Sequence, residues 1–255
     1  MSDPVEAIPL TRLAIAFSPV IVVLYFQYRW SLGVSTQLYA LVRMLVQLLL
    51  IGYVLSFIFA AEQAPIVLAV LLIMVISSSW IGLRTVETHR SKLFAYALIA
   101  TVAGGGLTLV VVTQGVLGIT PWYKPNYLIP LAGMVFSGAM NGVSLSAERL
   151  SAELKRGDGY EQARSVAYRA ALIPVTNSLF AVGLVSLPGM MTGQILSGVA
   201  PPIAARYQIM VMFMLLGATG ISAACFLVIS RPVFIRHFVK EDSVTQHSVK
   251  QDPVK

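Results

Sequence analysis

Two short stretches hold most of the residues in this chain that could do chemistry. The first is Glu148–Arg169, the most charged internal segment. Arg149 and Glu153 stand four apart, the spacing of a helical ion pair, and Ser144–Arg156 reads as one helix. Gly157-Asp158-Gly159 breaks it. Asp158-Gly-Tyr-Glu161 then has capping-box spacing, with Asp158 as N-cap and Glu161 at the third helical position. In the helix that follows, Tyr160, Ala163, Val166, Ala167 and Ala170 share one face, while Glu161, Arg164, Ser165 and Tyr168 fall mostly elsewhere. A capped helix with a small-residue face and cations such as Arg164 and Arg169 suits docking into a partner's cleft. The alternative is a solvated connecting loop.

The second stretch is Leu187–Gly198, which carries no charge. It lies in Ala170–Ala205, 36 residues without Asp, Glu, Lys or Arg. A spanning helix needs about 20 apolar residues, so this run is too long for one span and too short for two. Pro188 and Gly189 interrupt it. Broken backbone at membrane depth is tolerated where it is buried in protein or lines a wet cavity, so the stretch is a candidate pathway wall. Met190 and Met191 offer thioethers, soft ligands suited to Cu(I) and similar ions, beside carbonyls that the break would free. Asn141, Asn177, Thr192 and Gln194 could add oxygen ligands. Methionine also fills gaps in cores, the ordinary reading of Met134, Met140, Met210, Met212 and Met214. Arg43 and Gln47, one turn apart, form a third set at the entry to a span. An ionisable group there is a functional candidate unless it snorkels to the interface.

Other chemistry is missing from the sequence. There is no Gly-x-x-x-x-Gly-Lys-[Ser/Thr] loop, no His-Glu-x-x-His and no Cys-x-x-Cys. His89, His237 and His247 fall in loops or the tail, and no paired carboxylates sit in a span. No catalytic residue is therefore assigned, no cofactor is expected on this chain, and no metal-ligand set is defined. A transport subunit is a better class than an enzyme.

The elements that position these residues follow from composition. The chain of 255 residues is 57% hydrophobic and 11% charged, against about 25% charged in soluble domains. It reads as an all-α polytopic bundle with about seven spans: Leu10–Gln27, Arg43–Ala60, Pro65–Leu83, Lys92–Thr113, Tyr127–Leu145, one from Ala171 that breaks at Pro188, and Tyr207–Ile229. A broken or re-entrant segment is expected near 188–200, and Ser31–Val42 reads as a weakly amphipathic surface segment. Residues 1–230 form the membrane domain, with a cytoplasmic loop over 147–171, and 231–255 a polar tail expected to be disordered. Asp3 and Glu6 replace a basic leader, which argues against a cleaved signal peptide.

With the segments after the first, third, fifth and seventh spans on one side, 15 of the 18 basic residues lie there. The positive-inside rule makes that side cytoplasmic. The net charge of +7 thus reflects topology rather than nucleic-acid binding. Gly133/Ser137, Gly138/Gly142 and Gly217-Ala-Thr-Gly are small-residue faces suited to close helix packing; Gly104-Gly105-Gly106 is a hinge or a packing site.

Several segments resemble the FetB family of ABC-transporter permeases, linked to iron export and, in plants, to aluminium tolerance. They are Arg43-Met-Leu-Val-Gln-Leu with Gly52-Tyr-Val-Leu, Arg169-Ala-Ala-Leu-Ile-Pro, Gly183-Leu-Val-Ser-Leu-Pro-Gly-Met-Met-Thr-Gly and Tyr207-Gln-Ile-Met-Val-Met-Phe-Met-Leu-Leu. The resemblance covers roughly residues 40–230. It implies a permease of the bacterial inner membrane, a separate ATPase chain that binds ATP, a permease homodimer in the lipid bilayer, and a metal-ion substrate, with no nucleic acid. It also implies that Gly157, Asp158, Glu161, Ala163, Arg164 and Arg169 contact the ATPase. Where family members carry an Asp and a Lys three residues apart, this chain has Asn177 and Phe180, so both partners of a pair costly to leave single in a membrane are replaced together.

Overall fold

The computed structural model describes residues 9–61, 63–86 and 90–236. Every named element is a helix; among the described residues there is no strand. The described chain divides into two compact units, 9–61 and 63–236.

The first unit contains α1 (Leu10–Ile15), α2 (Ser18–Arg29) and α3 (Val34–Ala61). Pro19 in the first turn of α2 needs no backbone partner there, which lets the helix restart after Phe17. Phe26 and Trp30, their rings tilted by 40° with centroids 5.4 Å apart, close α2 beside Arg29, and α2 packs on α3. The segment expected to lie along the surface is instead mostly the first third of α3, which runs unbroken from Val34 for 28 residues. Leu38, Leu45, Leu48 and Leu49 stay exposed on it, as suits a helix solvated by lipid. Arg43 is therefore not at a helix entry. It lies nine residues, about 14 Å, inside the helix, and it and Gln47 are exposed.

The second unit contains α4 (Ala64–Gly82), α5 (Arg90–Thr101), α6 (Leu107–Val110), α7 (Pro125–Lys155), α8 (Tyr160–Ala181), α9 (Gly189–Leu196) and α10 (Pro201–Ile229). The wider π-helical turns Val102–Gly106 and Val111–Val116 join and extend α5 and α6 into one rod. Among the described residues, six helices or rods are long and apolar enough to cross a membrane: Thr11–Arg29, Val34–Phe59, Ala64–Thr85, Arg90–Val116, Pro125–Lys155 and Pro201–Ile229. The seventh span expected from Ala171 belongs to α8, which starts among charges and keeps only about 18 Å of uncharged helix, Ala170–Ala181.

Contacts fix the direction of each helix. Gly82 touches Met140 and Gly142 touches Thr219, while Thr85 bonds Ser144, so α4, α7 and α10 run parallel. On the antiparallel α8, Tyr160 reaches Leu227 and Tyr168 and Leu172 lie beside Gly220. Val182, just past its end, shares a cavity with Ala205 and Gln208. The Arg90–Val116 rod is also antiparallel to α10, through Gly104 on Ser222 and Thr108 on Gly217. The small-residue stretches are thus contact seams. A Cβ on Gly104 would collide with Ser222 Oγ and stand 2.5 Å from the Ser222 amide nitrogen; one on Gly142 would stand 2.6 Å from the Thr219 carbonyl oxygen.

The uncharged run also breaks earlier than Pro188. α8 stops at Ala181, and 182–188 closes on itself through Val185 and Ser186 amides donating to the Ala181 carbonyl and Gly183 to Ser186. α9 then covers Met190 and Met191, so the carbonyls near them serve its helix: Pro188 accepts from Thr192 and Gly193 from Ser197. Being eight residues long, α9 spans about 12 Å and cannot cross. α8 runs one way and α10 returns, with α9 at the turn. Pro201 and Pro202 start α10 six residues before the expected Tyr207, since proline fits the first helical turn.

Candidate functional site: a charged helical hairpin locked to the end of the bundle

The plane through Gly142 and Gly220 separates two environments. Arg84, placed between the Gly82–Met140 and Thr85–Ser144 contacts, lies near it, as does Arg169, which follows Tyr168. The 20 uncharged residues 64–83 before Arg84 span about 30 Å, the thickness of a bilayer's hydrocarbon. From Gly142 to Lys155, α7 continues about 20 Å further, now carrying Glu148, Arg149, Glu153 and Lys155, with Arg156 as its C-cap. The interior of this extension is apolar. Leu83, Leu93, Val143, Leu150, Ala163, Ala167, Phe226 and Leu227 form one buried cluster. Phe234 joins it, its ring 6.4 Å from that of Phe226. Residues 231–236 are therefore helical and anchored through Phe234, and only 237–255 of the expected tail lie outside the described residues. His237 and His247 fall there, and His89 is likewise outside the described residues.

The hairpin at the tip has its turn at Arg156–Gly159. Gly157 at φ +92° makes the left-handed step that ends α7, and the Asp158 amide donates to the Glu153 carbonyl at 3.3 Å. Glu153 is buried, 2.5 Å from Arg149 and 3.4 Å from Arg156, so two cations balance one sequestered carboxylate. The expected capping box is absent. Gly159, not Asp158, is the N-cap of α8, and no side chain caps it; the box is displaced by one residue and its geometry is lost.

Glu161 turns to other work. It pairs with Arg164 at 2.5 Å and with Arg231, beyond α10, at 3.7 Å. The Arg231 guanidinium stands over the Tyr160 ring, 5.4 Å from its centroid, and the Tyr160 hydroxyl donates to the Leu227 carbonyl. Burial pushes the phenol up to about 12, so it stays protonated and donating at neutral pH. Because the folded pKa is raised above 10.0, this contribution is full below pH 10 and fades as pH rises toward about 12. Three contacts thus tie the first turn of α8 to the end of α10. The sequence did place Tyr160 and Arg231 near charged segments, but only the fold puts them together. Tyr160→Phe keeps the ring under Arg231 and deletes the donor; thermal unfolding in detergent should show a loss of about 1 kcal/mol.

The small-residue face faces inward. Ala163 and Ala167 are fully buried against the cluster, as is Ala171 further up, because antiparallel helices at close range need small side chains. Ala163 therefore cannot meet a partner. What the hairpin presents outward is polar: Gly157, Glu161, Gln162, Ser165 and Arg169 are exposed, and Asp158 and Arg164 half-buried.

The residues expected along a pathway are not gathered in one place. Asn141 on α7 and Asn177 on α8 are both exposed. Met191 lines a cavity of about 360 Å³ with Leu179, Val182, Gly183, Ala205, Gln208, Ile209, Met212 and Phe213; Met190, Asn141, Asn177 and Gln194 are not in its lining. Gln208, which no motif marks, is the single carboxamide in Tyr207–Ile229. Among the described residues no group of three or more His, Cys, Asp or Glu could hold a metal ion.

The model of the family described as "Uncharacterised protein family (UPF0014)" matches residues 10–160 and 156–235. The chain belongs to this family. The match takes in both compact units and the whole hairpin. The chain is 33% identical to the "Probable iron export permease protein FetB" of Escherichia coli over 88% of this chain and 92% of the relative. It is 33% identical to the rice "UPF0014 membrane protein STAR2" over 92% and 83%. It is 30% identical to "Protein ALUMINUM SENSITIVE 3" of Arabidopsis thaliana over 95% and 92%. No solved structure matches the chain. The UPF0014 chain is accordingly a multi-pass membrane protein; the Escherichia coli relative is named a permease and the rice relative a membrane protein.

Proposed function

We propose that the chain is the permease subunit of an ATP-driven, ABC-type exporter in a bacterial inner membrane, moving iron or another metal ion. The observation that carries the reading is the hairpin. A rigid, outward-polar turn projects past the hydrocarbon boundary and is bonded to the end of α10, one of the long spans. A separate ATPase pressing on Gly157–Arg169 would move α8 and α10 as one body. The ATP stays on that partner, since this sequence has no phosphate-binding loop. Arg84, Arg90, Lys92, Arg164, Arg231 and Arg236 sit at the hairpin end of the second unit, against Lys124 and Arg206 at the other, which supports a cytoplasmic hairpin. Metal cargo and outward direction come from the name of the Escherichia coli relative. A second copy of the permease fits the uncovered apolar groove of about 660 Å³ between α8 and α10, lined by Tyr168, Leu172, Gly217, Gly220 and Ala224 among others, where small residues allow close approach.

The test is flux in proteoliposomes. With the separate ATPase and ATP present, loaded Fe²⁺ should leave the compartment that faces the hairpin. Without the ATPase, flux should fall to background. Undiminished flux without it points to an ATP-independent carrier, and no flux of any metal with it points to a scaffold.

A further inference from the structure

The turn after α8 leaves backbone open at a depth where lipid cannot satisfy it. Ala170–Ala181 rises about 18 Å from Arg169. α10 gives the same height independently, because Val182 lies beside Ala205 and Gln208, which stand about 18–22 Å along the helix from Gly220. The turn 182–188 therefore sits inside the roughly 30 Å of hydrocarbon. Its amides are largely used: Leu184, Val185 and Ser186 donate to the Ala181 carbonyl and Gly183 to Ser186. Its acceptors are not. Among the described residues no hydrogen bond ends on the carbonyl of Val182, Gly183, Leu184 or Val185. Irregular backbone does not stay exposed to lipid. Water would satisfy these carbonyls but not the side chains around them, since Leu184 is 90% exposed, Val185 84% and Phe180 78%. Lipid would suit the side chains but not the carbonyls. Only a protein surface that carries donors serves both.

We propose that the turn 182–188 docks on α10 of a second copy of this chain, where the Arg206 guanidinium of that copy donates to the open carbonyls. A two-fold axis along the membrane normal keeps every residue at its own depth, so the donor must stand at the height of the turn. Arg206 does, about 21 Å along α10 from Gly220. It is exposed and pairs with no acid among the described residues. A guanidinium has five N–H donors and no acceptor, and the C-terminal end of α8 favours a cation. Snorkelling to the far interface would serve Arg206 but would leave the carbonyls bare. Arg206 follows Ala205, which lines the same groove as Val182 and Gly183. Acceptors and donor thus lie on one patch, as a self-complementary contact between identical copies requires. The pairing of copies belongs to the permease reading, on which this joint rests.

The test is cross-linking between two differently tagged full-length copies expressed together, both carrying Cys225→Ser to remove the single native cysteine. One copy carries Leu184→Cys. The other carries Ile203→Cys, one turn before Arg206 and 51% exposed. A short bis-maleimide should join the two tags in the membrane. The control replaces Leu184→Cys by Leu72→Cys, which is 61% exposed on α4 and about 18 Å from Arg84, hence at matching depth; it should not cross-link. Arg206→Leu in both copies should lower the yield roughly five- to tenfold, because interhelical hydrogen bonds are lost at both symmetry-related joints. Arg206→Lys, which keeps a charged donor, should retain most of it. Yield is read per intact chain in the membrane, so a variant that folds poorly is not scored as a broken joint. Cross-linking no better than the Leu72→Cys control would overturn the proposal, as would a yield that Arg206→Leu leaves unchanged. In the first case, reaction of Leu184→Cys with a water-soluble maleimide would place the turn against water instead. The measurement needs neither ATPase nor flux, so failure of the joint is distinguishable from failure of the transport function.

Discussion

Gly104→Ala should be the most damaging single-methyl change in the second unit. The added Cβ would collide with Ser222 Oγ and come within 2.5 Å of the Ser222 amide nitrogen and 2.9 Å of its Cα. A side-chain tip can rotate away from such a clash, but backbone cannot, so the Arg90–Val116 rod and α10 must separate. Overpacking a tight core costs about 1–3 kcal/mol, and a clash against backbone belongs at the upper end. The loss should appear as a lower unfolding temperature in detergent and poorer yield of the intact chain. Gly106→Ala, where a Cβ would find only Val102 at 3.8 Å, is the matched control and should be close to neutral. Equal stability of the two variants would contradict the close crossing.

The largest functional effect should come from exchanging charges at the tip. In Glu161→Arg with Arg164→Glu, the local pair can re-form three residues apart, so α8 should remain helical. The guanidinium introduced at position 161 would then face Arg231, which now lies 3.7 Å from the Glu161 carboxylate. Attraction becomes repulsion at the joint between α8 and α10, and the polar face offered to the ATPase changes sign. ATP hydrolysis by the reconstituted complex should persist while metal flux falls severalfold: an exposed ion pair such as Glu161–Arg231 is worth only about 0.2–1 kcal/mol, and turning it into repulsion costs a similar amount again. Adding Arg231→Glu restores attraction at the joint. If flux recovers, the joint transmits the motion; if it does not, the damage lies at the partner surface. Normal coupled flux in the double variant would remove the hairpin from the mechanism.

Much of the architecture was written in the order of residues. Long uncharged runs fix helices and membrane crossing, because an unpaired backbone cannot be left in hydrocarbon. The continuation of α7 to Lys155, its break at Gly157 and the grouping of small residues on one face of α8 all follow from charge spacing, glycine and periodicity. These signals are local, and the energy that enforces them is local as well. What the sequence left open depended on which helices lie side by side. The capping box at Asp158 and Glu161 was a sound local reading, yet Glu161 does better between Arg164 and Arg231, and Arg231 is seventy residues away. Ala163 looked available to a partner until α7 and α10 closed over it. The run Ala170–Ala205 could not be parsed by length alone. Only the return of α9 onto α10 made it one short ascent, one turn and the start of a descent. Composition therefore determined a multi-pass helical protein with a charged hairpin, because partition between lipid and water acts residue by residue. The tertiary fold alone decided what the hairpin holds and that Met191 and Gln208 line one cavity, because both bring together residues that lie apart in the chain.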